Sequence, residues 1–245
     1  MVTKNIKKKK GVNMSKEISE LKSKLLDLIE FNHNCNEFYR KIVPMINTED
    51  RYLVSNVLNG IDSPVVTVDA GDLALQGYRG KDVSSILDDL VKISNGNLEK
   101  AENGIVIIEN CNKLALIDSL KSEQLYIKVR DELVPKLINT IPEMKDDAEL
   151  LLDKLGKYVS SQDRRNEFNY AISDSIFRYL IEDKQLSIGE NYEIVFDTSK
   201  LTVIFTGKAL DDERKSYPRE LEIFINYKCN ADELGTISSG SRARK

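Results

Sequence analysis

Two short stretches, Pro64-Val65-Val66-Thr67-Val68 and Gly104-Ile105-Val106-Ile107-Ile108, decide the fold of this 245-residue chain. Both are almost continuously apolar and rich in β-branched side chains, which is typical of strands buried on both faces of a parallel sheet. Between them, apolar residues recur at helical spacing: Val83, Ile86, Leu87, Leu90 and Val91. Strand, helix and strand at this separation predict a βαβ unit, so we expect an α/β protein with a parallel sheet and flanking helices.

Further elements are predicted before and after this unit. Amphipathic helices are expected at 15–31 and 52–59, the second closed by a glycine. The run 41–46 predicts a short strand, and Pro44, which has no amide proton, indicates its end or an edge position. Strand-like runs follow at 192–196 and 201–206, and an alternating run predicts a half-exposed antiparallel strand: Leu221, Ile223, Ile225 and Tyr227.

A highly charged helical segment, 116–162, separates the first strands from the later ones. Pro135 and Pro142 punctuate it, and a second helix is expected at 166–182. One face of the segment is apolar: Met144, Ala148, Leu152, Leu155 and Val159. The last residues, 235–245, are rich in Gly, Ser and Arg and predict a mobile tail.

Composition excludes several classes of protein. The net charge of −4 gives no general attraction to nucleic acid or anionic membrane. The scattered cysteines Cys35, Cys111 and Cys229, with the lone His33, lack metal-ligand spacing and predict reduced thiols without a metal site. No apolar run is long enough to span a bilayer, so we expect a cytoplasmic protein.

The first residues suggest a translated leader. Residues 10–14 back-translate to a purine-rich ribosome-binding site and a start codon, which makes Met14 the expected start and 1–14 a leader. The heavy use of Lys, Asn and Ile fits an AT-rich bacterial genome or a phage.

Four collinear segments resemble the large AAA+ subdomain of the ClpX family. Residues 69–83, D-A-G-D-L-A-L-Q-G-Y-R-G-K-D-V, are similar to the family's D-A-T-T-L-T-E-A-G-Y-V-G-E-D-V. Residues 98–114 resemble its Walker B strand, and 196–207, F-D-T-S-K-L-T-V-I-F-T-G, resemble its strand near sensor 1. The fourth segment is the helix at 173–181.

The resemblance implies an AAA+ P-loop NTPase-like fold and, in the family, ring assembly and ATP-powered unfolding. It places an N-terminal helix at 15–38 and a degenerate large subdomain at 39–234, interrupted by an insertion at about 116–162. The family's arginine-finger segment and small subdomain are not found after it. Gly77, Tyr78, Arg79 and Gly80 match the substrate-gripping pore loop, although Arg79 replaces an aliphatic residue.

The residues that would handle ATP are replaced. A P-loop needs glycines, a lysine for the phosphates and a hydroxyl for Mg²⁺. Residues 44–51 stand in its place, with Asp50 at the lysine and Arg51 after it, and a carboxylate there repels phosphate. The Walker B pair is Glu109 and Asn110, and an amide cannot take a proton from water. Thr206 lies in the sensor 1 neighbourhood.

The sequence therefore predicts a non-hydrolysing ClpX-like pseudo-ATPase with no catalytic residue, metal or cofactor. It would act as a protein-interaction module that binds an AAA+ unfoldase or its substrates. Two alternatives stay open. One is a divergent unfoldase that binds ATP and Mg²⁺ through other groups, and the other is a truncated remnant of an unfoldase gene.

Overall fold

The computed structural model describes residues 3–34, 41–75, 78–182, 185–189, 191, 193–210, 215–218 and 228–230. The predicted strand at 221–227, the tail and Gly77 lie outside these residues. The strands are β1 Met45–Asn47, β2 Val65–Asp69, β3 Leu73–Ala74, β4 Lys81–Asp82, β5 Ile105–Glu109, β6 Leu116–Ile117, β7 Gln185–Ile188, β8 Ile194–Asp197, β9 Thr202–Gly207, β10 Lys215–Ser216 and β11 Lys228–Asn230. The α-helices are α1 Thr3–His33, α2 Leu53–Val57, α3 Ser85–Ile93, α4 Leu98–Glu102, α5 Ser119–Lys128, α6 Val134–Thr140 and α7 Lys145–Ile176.

A five-stranded parallel sheet forms the centre of the molecule, in the order β11-β1-β9-β5-β2. The spatial order differs from the chain order because helices cross from strand to strand, as parallel pairing requires. The prediction of an α/β protein with a parallel sheet and flanking helices is confirmed, and the arrangement is consistent with a P-loop NTPase-like fold.

The sheet is covered on both faces, which explains why β5 is apolar at every position but its last. Ile105 and Ile107 pack into one buried cluster with residues of α1 and α2. Val106 and Ile108 point to the other face, into a cluster with residues of α3 and the end of α7. Successive side chains of a strand alternate between faces, so a strand between two layers needs apolar residues throughout.

The prediction for the first strand was partly wrong. β1 begins directly after Pro44 and lies between β9 and β11, not at an edge. Proline is tolerated here because it precedes the strand, where its missing N–H removes no bond of the β1 ladder. Its carbonyl still accepts a hydrogen bond from Phe205 N at 2.9 Å, which aligns β1 with β9.

Two helix boundaries also differ from the prediction. α1 begins at Thr3 instead of residue 15, and α7 runs without interruption through the expected break at 163–165. Between residues 157 and 182 the sequence contains no glycine or proline, so nothing stops the helix there. A π-helical turn, Phe177–Ile181, completes it.

Residues 118–165 form an antiparallel helical hairpin. Its first arm consists of α5, a π-helical segment at Val129–Leu133 and α6, and its second arm is the first part of α7. At the base, the side chain of Asn166 donates to Ile117 O at 2.7 Å and accepts from Ile117 N at 2.8 Å. Among the described residues, no helix is both long and apolar enough to cross a membrane.

Candidate functional site

The carboxyl ends of the parallel strands bring polar residues to one edge of the sheet. β2 ends at Asp69 and β5 ends at Glu109, and these two residues are register partners. In an open parallel sheet this edge is the usual place for a ligand site, because loops from neighbouring strands converge there. Both carboxylates are almost fully buried.

Asp69 accepts several hydrogen bonds. Its carboxylate accepts from Lys113 Nζ at 2.7 Å, from Asn110 Nδ2 at 2.6 Å and from Gly71 N at 2.7 Å. Burial alone would raise the pKa of Asp69, but these hydrogen bonds outweigh it and hold the pKa below its usual value. Asp69 is therefore a charged carboxylate at neutral pH.

Arg51 joins the two carboxylates. Its Nε donates to Glu109 Oε2 at 2.9 Å, and its Nη2 lies 3.5 Å from Asp69 Oδ2. The hydrogen bond to Glu109 raises the pKa of the Arg51 guanidinium further above neutrality. We call this set the charge cluster: Arg51, Asp69, Glu109, Asn110 and Lys113. A guanidinium thus lies on the carboxylate at the end of β5.

Asn110 adopts a left-handed backbone conformation, with φ 54° and ψ 39°. Among residues other than glycine, asparagine is one of the few that enter this region readily. The conformation turns the chain sharply after β5 and directs the amide toward Asp69. Gly207, at the end of β9, sits against this turn: a Cβ there would lie 2.9 Å from Asn112 Oδ1 and 3.0 Å from Cys111 N.

The loop that contains Asp50 is short and supplies its own hydrogen-bond acceptors. Because 45–47 form β1, only 48–52 connect this strand to α2. Thr48 Oγ1 accepts from Asp50 N, and Asp50 Oδ1 accepts from Tyr52 N, both at 3.0 Å. These are backbone donors of the kind that would cradle a phosphate, and the chain's own oxygens occupy them.

A groove of about 480 Å³ opens beside the charge cluster. Glu109 Oε1 is buried at its wall and has no hydrogen-bond partner among the described residues. The groove is lined by Arg51, Tyr52, Ser55, Thr67, Val68, Asp69, Asp72, Lys81 and Glu109.

The pore-loop-like residues form a separate feature. Tyr78 is 67 % exposed, and its ring meets the Phe168 ring edge-on at 6.0 Å between centroids. Arg79 is exposed as well. At Gly80, where φ is 145°, a Cβ would lie only 2.6 Å from Ala74 Cβ, so this turn requires glycine. The loop presents an aromatic side chain to solvent.

The structure thus brings together Arg51, Glu109 and Asn110, while Asp50, in the adjoining loop, accepts a hydrogen bond from Tyr52 N. Thr206 is buried within β9, one residue beyond the partner of Ile108, and lies at the same edge. Asp69 and Lys113 were not among the predicted site residues. Their positions directly after neighbouring strands were the available signal, since such positions meet at the carboxyl edge.

The described residues do not fit Mg²⁺ and ATP as a P-loop protein binds them. The loop between β1 and α2 carries the carboxylate of Asp50, two of its backbone N–H groups donate to the loop's own oxygens, and Arg51 donates to the carboxylate of Glu109. Within the described part of the chain, no three His, Cys, Asp or Glu side chains are grouped as metal ligands.

Comparison with known proteins found similarity to ClpX subunits, the ATP-binding subunits of Clp protease. The chain is 39 % identical over 79 residues to ClpX 3 of Methylococcus capsulatus, which covers 32 % of this chain and 17 % of that protein. It is 34 % identical over 74 residues to ClpX of Bacteroides thetaiotaomicron and 35 % over 75 residues to that of Treponema denticola. The matches cover 30 % and 31 % of this chain, and 18 % and 17 % of those proteins.

No family model matches the chain. Its matches span less than a fifth of the length of these relatives. Together with the sheet order and the residues at its carboxyl edge, the similarity supports a ClpX-like AAA+ relationship.

Proposed function

We propose that the chain is a ClpX-like pseudo-ATPase, a protein-interaction module that does not hydrolyse ATP. The observation that carries this proposal is the contact between Arg51 and Glu109, with Nε and Oε2 2.9 Å apart. The nearest place for a Mg²⁺ ion at the Walker B strand is on this carboxylate, and a guanidinium that is always charged holds it instead.

The residue after Glu109 supports the same conclusion. A hydrolytic site needs a base that takes a proton from the attacking water. Asn110 has no basic group, and its amide is held by Asp69 at 2.6 Å. Asp50 places a negative charge where the phosphates would lie. The groups that usually bind ATP and those that usually hydrolyse it are therefore both missing from the carboxyl edge of the sheet.

The nucleotide part of the proposal is tested by calorimetric titration of the full chain with ATP and Mg²⁺, alongside a phosphate-release assay. We expect no binding heat at millimolar nucleotide and no phosphate above the buffer rate. Micromolar binding with turnover would overturn the proposal.

The interaction part of the proposal depends on the Tyr78 loop. An exposed aromatic ring on a turn fixed by Gly80 can contact an extended polypeptide, since it offers apolar area at low entropic cost. The partner we propose is an AAA+ unfoldase or its protein substrate, met in the cytoplasm. The loop is separate from the charge cluster, so contact with a protein does not require nucleotide.

The partner is tested by measuring binding of the full chain to a purified ClpX ring, and the effect of the chain on ring ATPase and unfolding rates. We expect binding that Tyr78→Ala weakens by about tenfold or more, as for an exposed aromatic anchor. Tyr170→Ala, at another surface tyrosine on α7, is the control and should bind as the unmodified chain does. No binding to the ring or to an unfolded substrate would remove this part of the proposal.

A divergent ATP-binding unfoldase remains a second candidate because of one observation. Glu109 Oε1 is buried at the groove wall without a partner among the described residues, and a ligand donor or cation could satisfy it. If this candidate is right, ATP binds with micromolar affinity and Glu109→Gln reduces that affinity. If the pseudo-ATPase proposal is right, neither the unmodified chain nor Glu109→Gln binds ATP.

A further inference from the structure

Met144 and the second arm of the hairpin form an apolar stripe that the described residues leave exposed. Met144, Leu151 and Tyr158 follow one another at intervals of seven residues, which is two helical turns, so they lie in a line. They are 37 %, 57 % and 56 % exposed. Single large apolar side chains are common on protein surfaces. Three in a line along one helix form a continuous apolar stripe, which is typical of a contact with another helix.

The hairpin uses another face of α7 for its own packing. Ala148 and Val159 are buried, and a Cβ on Gly156 would lie 3.4 Å from the Tyr126 ring of the first arm. Viewed along the axis of α7, the side chains of these residues are rotated to one side of the Leu151 side chain. The stripe is therefore additional to the contact between the two arms. All residues of 118–165 are described, and none belongs to either buried cluster of the body.

The charged residues beside the stripe favour one orientation of a second copy of this chain over the other. Asp147 and Lys154 are both exposed and lie three residues after Met144 and Leu151, respectively, on the same side of the stripe. In a parallel arrangement of two copies, the flank that carries Asp147 and Lys154 lies across from the opposite flank of the other copy, so these charges would not meet. In an antiparallel arrangement centred on Leu151, Asp147 of each copy faces Lys154 of the other, which gives two ion pairs.

The same antiparallel arrangement matches the apolar residues. With Leu151 against its own copy at the two-fold axis, Met144 lies opposite Tyr158 at each end, because both are seven residues from Leu151. A long side chain thus meets an aromatic ring twice, a favourable sulfur–aromatic pairing. Two helical hairpins joined in this way make a four-helix arrangement, which is how two-helix units usually bury their remaining apolar faces.

We propose that residues 144–158, which comprise Met144 and the first turns of α7, form a homodimer interface, in which a second copy of this chain binds the stripe antiparallel about a two-fold axis at Leu151. The interface lies on the hairpin, away from the charge cluster. It does not rest on the proposed function, because a hydrolysing or a non-hydrolysing chain would pair in the same way.

Analytical ultracentrifugation of the full chain over a concentration series up to about 100 µM tests the proposal. We expect a monomer–dimer equilibrium whose dissociation constant rises by about tenfold or more in Leu151→Glu, since an ionised group then lies at the centre of the interface. Ile93→Glu is the matched control, because Ile93 is 53 % exposed on α3, outside the hairpin. It should dimerise normally, and circular dichroism checks that both variants fold.

A charge exchange tests the geometry. Asp147→Lys and Lys154→Asp should each weaken the dimer about threefold to tenfold, because each places like charges across the axis twice. The double variant, with both charges exchanged, should regain the original dissociation constant. A chain that stays monomeric throughout the series, a dimer unaffected by Leu151→Glu, or a double variant no tighter than the single ones would each overturn the proposal.

Discussion

The central sheet with its covering helices, called the body here, and the hairpin at 118–165 differ in how completely they bury their apolar side chains. In the body, the inner strand β5 has five buried residues, and Ile105, Val106, Ile107 and Ile108 have no exposed surface at all. In the hairpin, Leu125, Leu133, Leu150 and Leu151 are each about half exposed. The body completes its own core, whereas the hairpin leaves apolar surface that its own arms do not cover.

This difference indicates separate roles for the two regions. Burial of apolar surface supplies most of the free energy of folding, so the body determines whether the chain folds. The hairpin contributes no residue to either buried cluster and has apolar area left for binding. We therefore expect substitutions in the body to change the free energy of unfolding, and substitutions in the hairpin to change association.

The largest expected effect is in the centre of the sheet. Phe205 in β9 is fully buried, and Phe205→Ala should lower the free energy of unfolding by about 3–5 kcal/mol, because the cavity cannot close within a packed sheet. Leu150→Ala, in the hairpin, is the control and should change it by less than about 0.5 kcal/mol. Urea unfolding followed by circular dichroism measures both. Similar losses in the two variants would contradict the division between body and hairpin.

The same contrast explains which parts of the fold the sequence could predict. β5 was predictable because a strand covered on both faces shows a continuous apolar run. The same pattern predicted β2, but its burial on both faces was wrong, because β2 is the last strand in the sheet order and leaves Thr67 exposed. The position of β1 was not predictable, because its three residues, Met45–Asn47, are too few for a period, and Pro44 suggested an edge. The continuous α7 was missed because its pattern changes where the hairpin meets the body, although no helix breaker stands there.

A smaller effect is expected in the charge cluster. Asp69→Ala leaves Lys113 Nζ, Asn110 Nδ2 and Gly71 N without their acceptor, and should lower the free energy of unfolding at pH 7 by about 1–3 kcal/mol. Asp153→Ala removes an exposed hairpin pair with Lys157 and should cost less than about 0.5 kcal/mol. Urea unfolding again compares them. Equal values would show that the cluster is no more stabilising than a surface ion pair.

The cluster also shows how far the site could be predicted. Glu109, Asn110, Asp50 and Arg51 were predicted as site residues because the ClpX resemblance sets each of them against a residue of a motif. The contact of Arg51 with Glu109 was not, because the two residues are 58 positions apart and the length of the loop after β1 decides whether they meet. A resemblance predicts which residues to compare, and only the folded arrangement shows what those residues contact.

The smallest effect concerns His33, the chain's single histidine, at the end of α1 against the body. Burial lowers its pKa from the usual 6.5, so the unfolded chain binds a proton more readily than the folded one. The free energy of unfolding should therefore fall as the pH drops through 6.5, and the loss should be complete below the folded pKa. Urea unfolding at two pH values, about 7.5 and 5.5, should show this loss in the unmodified chain.

His33→Asn is the control, because asparagine does not titrate and the hairpin contains no histidine. The variant should lose less stability between the two pH values than the unmodified chain, since the remaining carboxylates titrate mostly at lower pH. If both proteins lose the same amount, the pH response arises elsewhere and burial of His33 does not couple to folding. If only the unmodified chain responds, the packing of α1 on the sheet is part of the body's cooperative core.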